Sequence, residues 1–198
     1  MTADHRKQLR KQLRQARRSL SDHQQQQHAL QAERIISRLP AFRNTQRIAF
    51  YLAEDGELDP LHLIEKAWQF DKQVFLPVLP PTGQALVFAP FNENSVMKCN
   101  RFGIAEPQVP ATEWVTARRL GLIIMPLVGF DNKGNRLGMG GGFYDRSLAF
   151  KKHRRHWRAP RLIGLAHEIQ KVDQLPSASW DIPLDMIVTE SNVYRGAQ

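Results

Sequence analysis

The sequence predicts an α/β fold: a mostly parallel sheet flanked by helices, in a single domain over residues 1–198 that begins with a basic helix. Three observations lead to this prediction. Short apolar runs rich in strand-forming residues alternate with segments of helical periodicity, as in α/β proteins. The most apolar run ends at Val128 and leads directly into a glycine-rich segment. A length of 198 residues also corresponds to one domain of ordinary size.

The chain begins with an amphipathic helix. Leu9, Leu13, Ala16 and Leu20 recur at helical spacing and predict a helix over residues 5–19. Its apolar stripe is narrow, and the rest of its surface is an Arg/Lys face.

A capping box marks the start of a second helix. Ser21 is followed three residues later by Gln24, a pair that can satisfy two backbone N–H groups at a helix start. We expect the helix to end at Pro40, because proline interrupts helical hydrogen bonding. Its apolar residues predict the buried face: Ala29, Ala32, Ile35, Ile36 and Leu39.

The next segment predicts a βαβ unit. Residues 47–52 and 73–79 are compact apolar runs that predict two strands. Between them, Asp59 and Pro60 predict the cap and first turn of a helix that continues through Phe70. The right-handed crossover typical of such units favours a parallel sheet.

The second half of the chain continues the alternation. The apolar run 120–128 predicts a strand buried on both faces, and a helix is predicted over residues 142–154. Residues 92–116 have weak periodicity and predict irregular structure. The other predicted strands cover residues 85–91, 161–166 and 186–189.

The glycine-rich segment is the main candidate for a binding site. Six of the twelve glycines lie between Gly129 and Gly142. Because a buried strand enters the segment and a helix leaves it, backbone N–H groups are expected to converge on one point, which favours a phosphate. A long flexible hairpin is the alternative.

The segment fits neither of the two common nucleotide-binding motifs. The Walker pattern requires Lys and Ser or Thr where Phe143 and Tyr144 stand. The dinucleotide-binding pattern requires an acidic residue about 20 residues later, which this chain does not have.

Composition and charge exclude several classes of protein. The net charge is +9, but basic residues concentrate in residues 1–20 and 151–161, which favours a local anion site over a broad nucleic-acid surface. No apolar run is long enough to span a membrane. The single cysteine, Cys99, favours a cytoplasmic location, with an organellar transit peptide as the alternative for the Arg-rich start. The seven histidines are scattered and suggest no metal cluster.

The segment 126–146, PLVGFDNKGNRLGMGGGFYDR, resembles the signature of the 5-formyltetrahydrofolate cyclo-ligases, also called methenyltetrahydrofolate synthetases. The similarity extends along nearly the whole chain through RKQLRKQLR, YLAEDGELD, FGIAEP and DIPLDMIVTE. The resemblance implies a ligase that uses ATP and Mg²⁺ to convert 5-formyltetrahydrofolate to 5,10-methenyltetrahydrofolate, releasing ADP and phosphate. It also implies a monomer that binds folate and ATP, with no membrane or specific nucleic-acid partner.

The resemblance further implies roles for individual residues. Arg136 and Tyr144 are implied to be catalytic, and Asp145 and Asp185 to bind magnesium. The residues implied to contact folate are Leu52, Glu57, Phe102 and Tyr144. The residues implied to contact ATP are Arg6, Lys7, Arg10, Arg136, Leu137, Gly138, Met139, Gly140, Gly141, Gly142, Phe143 and Tyr144.

Several of these residues also have a purely structural interpretation. Without the resemblance, the basic residues of the first helix form a solvated face and Glu57 is a surface acid in a loop. Asp145 can instead stabilise the start of a helix.

The chain departs from many members of the family in three ways. Its lysine stands at position 7, one residue later than usual. Met139 and Gly141 lie where a basic residue is common, and Phe143 replaces tyrosine. We therefore expect neutralisation of phosphate to depend on Arg136 and the first helix.

Two other classes of function stay open on the residues alone. A nucleic-acid or ribosome-associated binding protein would use the two basic segments. A kinase-like phosphotransferase would keep the phosphate-binding loop and use a different acceptor.

Overall fold

The computed structural model describes residues 3–80, 85–153, 159–175 and 181–196. The helices in this part of the chain are α1 (Ala3–Arg18), α2 (Asp22–Ile36), α3 (Pro40–Arg43), α4 (Leu61–Gln69) and α5 (Phe143–Leu148). The strands are β1 (Arg47–Ala49), β2 (Gln73–Val78), β3 (Val87–Pro90), β4 (Met97–Cys99), β5 (Ala105–Pro107), β6 (Leu122–Pro126), β7 (Gly129–Phe130), β8 (Arg136–Leu137), β9 (Arg161–Leu165), β10 (Met186–Val188) and β11 (Val193–Arg195). None of the helices described is long and apolar enough to cross a bilayer.

A seven-stranded sheet organises the molecule, in the order β11-β10-β9-β6-β1-β2-β3. The five inner strands are parallel, and β3 and β11 pair antiparallel to their neighbours at the two edges. In the register of the central strands, Ala49 lies between Phe75 and Ile123. The predicted α/β fold with a mostly parallel sheet is confirmed.

Helices and loops cover the two faces of the sheet. On one face α2, α3 and α4 bury Ile36, Phe42 and Ile64 against Ile48 and Ile124 of the sheet. The other face packs against α5 and against the loops that follow β5 and precede β10. Burial on both faces explains why the central strands are continuously apolar in sequence.

Several boundaries differ from the predictions. The second helix ends at Ile36, and Pro40 begins α3, a position where its fixed φ fits the first helical turn. Residues 92–116 are not irregular, because β4 and β5 form a hairpin within them. The helix predicted over 142–154 is divided into two types: α5 ends at Leu148 and continues as a 3-10 helix over Ala149–His153, while residue 154 lies outside the described residues.

Helix α1 lies across the carboxyl end of the sheet. Its Leu13 is buried against Val128, Leu137 and Leu175. A Cβ atom at Gly129 would lie 2.4 Å from Leu13 Cδ1, so the absence of a side chain there allows the helix to approach.

An ion pair buried beneath α1 fixes the helix in place. Arg17 follows Leu13 by one helical turn and is completely buried. Its guanidinium donates to the Asp55 carbonyl and carboxylate, each at 2.9 Å, and to the Leu127 carbonyl at 3.3 Å. It also lies 3.5 Å from the Glu57 carboxylate. The basic face predicted for this helix is therefore only partly exposed.

Arg17→Met should destabilise the protein strongly. The substitution leaves two carboxylates without their buried cation, a loss of about 3–5 kcal/mol in the free energy of unfolding. Urea denaturation at neutral pH measures this change.

Arg18→Gln is the matched control. Arg18 also pairs with Asp55, but 56% of its side chain is exposed, so we expect a loss below about 1 kcal/mol. Equal losses in the two variants would show that burial of Arg17 contributes nothing beyond a surface ion pair.

Candidate active site

A cavity of about 510 Å³ lies at the carboxyl ends of β1, β2 and β6. Its walls come from α1, the loop 51–57, the β4–β5 hairpin and the glycine-rich segment that leads into α5. The volume is typical of sites for small molecules, and the carboxyl edge of a parallel sheet is where such sites form.

Most of the predicted site residues line this cavity. Those contributed outside the glycine-rich segment are Arg6, Arg10, Leu52, Glu57 and Phe102. Those of the glycine-rich segment and the start of α5 are Arg136, Leu137, Gly138, Met139, Gly140, Gly141, Gly142, Phe143, Tyr144 and Asp145.

Lys7 and Asp185 do not line the cavity. Lys7 is exposed on α1. The Asp185 carboxylate accepts a hydrogen bond from the Leu162 N–H group at 2.7 Å and lies 4.0 Å from Lys151 Nζ. Leu162 is at the amino end of β9, at the edge of the sheet opposite to the cavity, so Asp185 lies outside the cavity that Asp145 lines.

The glycine-rich segment has a backbone that requires glycine at two positions. Gly140 and Gly142 have φ values of +102° and +64°, which L side chains rarely adopt. The segment is held by Arg10 Nε, which donates to the Gly138 carbonyl at 2.8 Å, and by Arg146, which donates to the Gly141 carbonyl at 2.7 Å. A hairpin is present, because β7 pairs with β8, but it precedes these glycines.

Three arginines supply most of the positive charge of the cavity. Arg6 pairs with Asp181 at 3.2 Å, and Arg136 pairs with Asp145 at 2.5 Å. Arg10 lies against Gly140, with its Cζ 3.6 Å from the position of a Cβ there. Because α5 has only six residues, its dipole contributes less than the predicted longer helix would.

The cavity also contains an acidic group, the largely buried carboxyl of Glu57. Burial raises the pKa of Glu57 to about 7, although Arg17 favours its ionised form. Two phenols lie near it, Tyr51 buried and Tyr144 partly buried, and burial together with the Glu57 charge raises the pKa of both above the usual range. The Tyr51 hydroxyl donates to the Leu58 carbonyl, which fixes its ring.

Asp55 differs from Glu57 in its partners. Although burial opposes ionisation, hydrogen bonds from Arg14, Arg18 and Arg17 lower the pKa of Asp55 to about 2. Its φ of +57° turns the chain so that the carboxylate faces all three arginines.

Exposed apolar side chains form the rim of the cavity. Phe102 is 58% exposed and Met139 is 56% exposed. Phe102 makes an edge contact with Phe143, with ring centroids 6.3 Å apart. The hairpin that carries Phe102 is braced by a hydrogen bond of 2.7 Å from Asn100 to Glu106.

Sequence reasoning missed several residues of the cavity, and four of them are polar groups close to the predicted ones: Arg17, Tyr51, Asp55 and Asp181. The sequence does contain a signal for the burial of one of them: Arg17 lies one helical turn after Leu13 and so continues the apolar stripe of α1. The other three depend on contacts between distant segments, such as the ion pair between Asp181 and Arg6.

Comparison with known proteins agrees with this architecture. Residues 2–190 match the model of the 5-formyltetrahydrofolate cyclo-ligase family. The chain is 41% identical over 184 residues to the 5-formyltetrahydrofolate cyclo-ligase of Escherichia coli K12, covering 92% of this chain and 99% of that protein. It is 39% identical over 192 residues to the enzyme of the same name from Haemophilus influenzae, covering 95% of this chain and all of that protein.

Solved structures show the same fold. The NMR structure of Aquifex aeolicus 5,10-methenyltetrahydrofolate synthetase has a TM-score of 0.80 and 30% identity, covering 96% of this chain and 92% of the other. A 5,10-methenyltetrahydrofolate synthetase from Mycoplasma pneumoniae is similar in fold, with a TM-score of 0.72 and 23% identity, covering 93% and 98%. From the match over nearly its full length, the chain belongs to the 5-formyltetrahydrofolate cyclo-ligase family and is an enzyme of the ligase class.

Proposed function

We propose that this enzyme converts 5-formyltetrahydrofolate to 5,10-methenyltetrahydrofolate in a reaction that depends on ATP and Mg²⁺ and releases ADP and phosphate. The observation that carries the proposal is a single cavity that combines two kinds of recognition. The glycine-rich segment and three arginines suit a polyphosphate, and the buried surface around Glu57 suits a flat heterocycle with N–H donors. Membership of the family supports the same reaction.

The chemistry begins with the formyl group of the substrate. A formamide carbonyl resists attack because its nitrogen donates electrons into it, and its oxygen is a poor leaving group. In the proposed reaction the formyl oxygen attacks the γ-phosphorus of ATP and displaces ADP. The N10 nitrogen then bonds to the activated carbon and releases its proton to solvent, and departure of the phosphate with the C–O bonding electrons leaves the methenyl cation.

The protein contributes position and charge to this reaction. Arg6, Arg10 and Arg136 would stabilise the charge of the transferred phosphoryl group, and the glycine-rich segment would hold the phosphates without steric obstruction. Tyr144 lines the same cavity, and the charges of both Glu57 and Arg136 affect its pKa. Leu52 and Phe102 would cover the folate and exclude water.

The described residues fit a magnesium ion that is held mainly by phosphate. Asp145 Oδ1 is engaged by Arg136 and by the Ile182 N–H group, and its second oxygen makes no hydrogen bond with any described residue. Mg²⁺ commonly takes one or two carboxylates, with phosphate oxygens and water completing its octahedron. Asp145 would therefore hold the ion, which would offset phosphate charge, whereas Asp185 does not line the cavity.

Formation of methenyltetrahydrofolate can be followed by absorbance. We expect product with 5-formyltetrahydrofolate, ATP and Mg²⁺ together, and none when any one of the three is omitted. No product above the control without enzyme would contradict the proposed function.

Glu57→Gln should weaken folate binding and leave ATP binding unchanged. Glu57 would accept hydrogen bonds from the pterin ring, and losing a charge-assisted bond worth about 1.5–3 kcal/mol weakens binding about 10–150-fold. Titration calorimetry with each ligand separately measures both affinities. Glu65→Gln, an exposed acid on α4, is the control.

The same variant should also change the pH dependence of folate binding. Because burial raises the pKa of Glu57 to about 7, the ionised acceptor is gained as the pH rises through that value. Folate affinity of the wild type should increase between about pH 6 and pH 8 and be nearly constant in Glu57→Gln. An equal loss for ATP, or the same pH profile in both proteins, would remove Glu57 from the folate site.

Arg10→Gln should slow turnover about tenfold or more without loss of stability. The substitution keeps helix propensity and removes the cation, and tenfold corresponds to about 1.4 kcal/mol of transition-state stabilisation. Steady-state kinetics at saturating ATP measure the effect. Lys11→Gln, exposed on the same helix, should retain full turnover, and Lys7→Gln tests the remaining predicted ATP contact.

Equal activity of Arg10→Gln and Lys11→Gln would assign Arg10 a structural role only. Arg6→Gln extends the comparison to the second arginine of α1 that lines the cavity.

A further inference from the structure

A second polar cluster lies at the same edge of the sheet but outside the cavity. His28 projects from α2, His167 follows β9, and Glu190 follows β10. Their ligand atoms all lie within 4.8 Å of one another. The fold therefore brings together two of the histidines that are far apart in the sequence, His28 and His167.

We propose that His28, His167 and Glu190 form a binding site for one Zn²⁺ ion. The two Nδ1 atoms are 2.8 Å apart, and His28 Nδ1 lies 3.8 Å from Glu190 Oε1. Ligand atoms around a tetrahedral zinc are about 3.3 Å apart, given bond lengths of about 2.0–2.1 Å. These two distances bracket that value and the third pair lies within 4.8 Å, so side-chain rotations would place all three atoms around one ion.

The ligand set selects the class of metal. Two imidazoles and one carboxylate suit Zn²⁺ and similar transition-metal ions, with a water molecule in the fourth position. Mg²⁺ prefers oxygen ligands and should not compete here. This site is therefore chemically distinct from the magnesium position proposed beside Asp145.

Neighbouring groups favour metal binding by two of the ligands, Glu190 and His167. Glu190 Oε2 accepts a hydrogen bond of 2.9 Å from the Glu168 N–H group, which leaves Oε1 for the ion. His167 is fully buried, and burial, His28 and Arg17 lower its pKa to about 4, so its imidazole is neutral at physiological pH. Arg17 is neutralised by Asp55 and Glu57, which limits its repulsion of a cation.

A metal at this position would act as a structural cross-link. It would join α2 to the loops after two neighbouring parallel strands, close to the ion pair that holds α1. Because the three ligands are far apart in sequence, binding requires the folded chain and should raise its stability.

Titration calorimetry of the chelator-treated full-length protein with Zn²⁺, without ATP or folate, tests the proposal. We expect one saturable site in the wild type and affinity at least 100-fold weaker in His28→Gln. Glu190→Gln should weaken binding at least tenfold. Both positions are partly exposed, so these variants are expected to fold, which circular dichroism checks.

Two controls separate this site from adventitious binding. His62→Gln removes an exposed histidine whose Nδ1 is 3.4 Å from Glu65, and Cys99→Ser removes the exposed thiol. Both variants should bind Zn²⁺ like the wild type, and Zn²⁺ should raise their melting temperatures as much as that of the wild type but raise those of the His28 and Glu190 variants less. No saturable site in the wild type, or unchanged affinity in His28→Gln, would overturn the proposal and reduce the cluster to a histidine–histidine hydrogen bond. Neither result bears on the cyclo-ligase reaction.

Discussion

The buried guanidinium of Arg17 is the group on which the candidate active site depends. It joins α1 to Asp55 in the loop after β1 and to the Leu127 carbonyl just after β6. Three segments that line the cavity therefore contact one cation. Arginine stays protonated at any physiological pH, so its burial obliges nearby carboxylates to enter the interior with it. Asp55 and Glu57 meet that requirement.

The carboxylates of Asp55 and Glu57 have pKa values shifted in opposite directions. Asp55 receives most of the arginine contacts and is held as an anion with a pKa of about 2. Glu57 receives a weaker share, and its pKa of about 7 leaves it responsive to whatever binds beside it. Two acids separated by one residue thus acquire different chemistry: burial raises the pKa of Glu57, whereas at Asp55 the hydrogen bonds from arginines outweigh burial.

The arginines that line the cavity are held in a similar way. Arg6 and Arg136 are paired with Asp181 and Asp145, so a polyanion entering the cavity competes with carboxylates already in place. This competition lowers the gain from each new contact, but the cations are oriented before the anion arrives. Preorganised charge of this kind stabilises a developing phosphoryl charge more effectively than flexible surface cations do.

The sequence predicts the parts of the fold that rest on local pattern. The capping box at Ser21 and Gln24, the βαβ unit and the glycine-rich segment beside a buried strand are present as expected. The β4–β5 hairpin was not predictable, because its strands have three residues each and no period can be recognised over that length. The pairing of His28 with His167, and of Arg6 with Asp181, depends on the tertiary fold alone.

The ion pair between Arg6 and Asp181 joins residues 175 positions apart. During synthesis the N-terminal side of a chain emerges first, so α1 leaves the ribosome long before its partner Asp181. The cavity therefore closes only after Asp181 has been synthesised. A nucleotide or folate that requires the finished cavity cannot stabilise earlier stages of folding, so the strands from β1 to β9 must assemble without help from ligands.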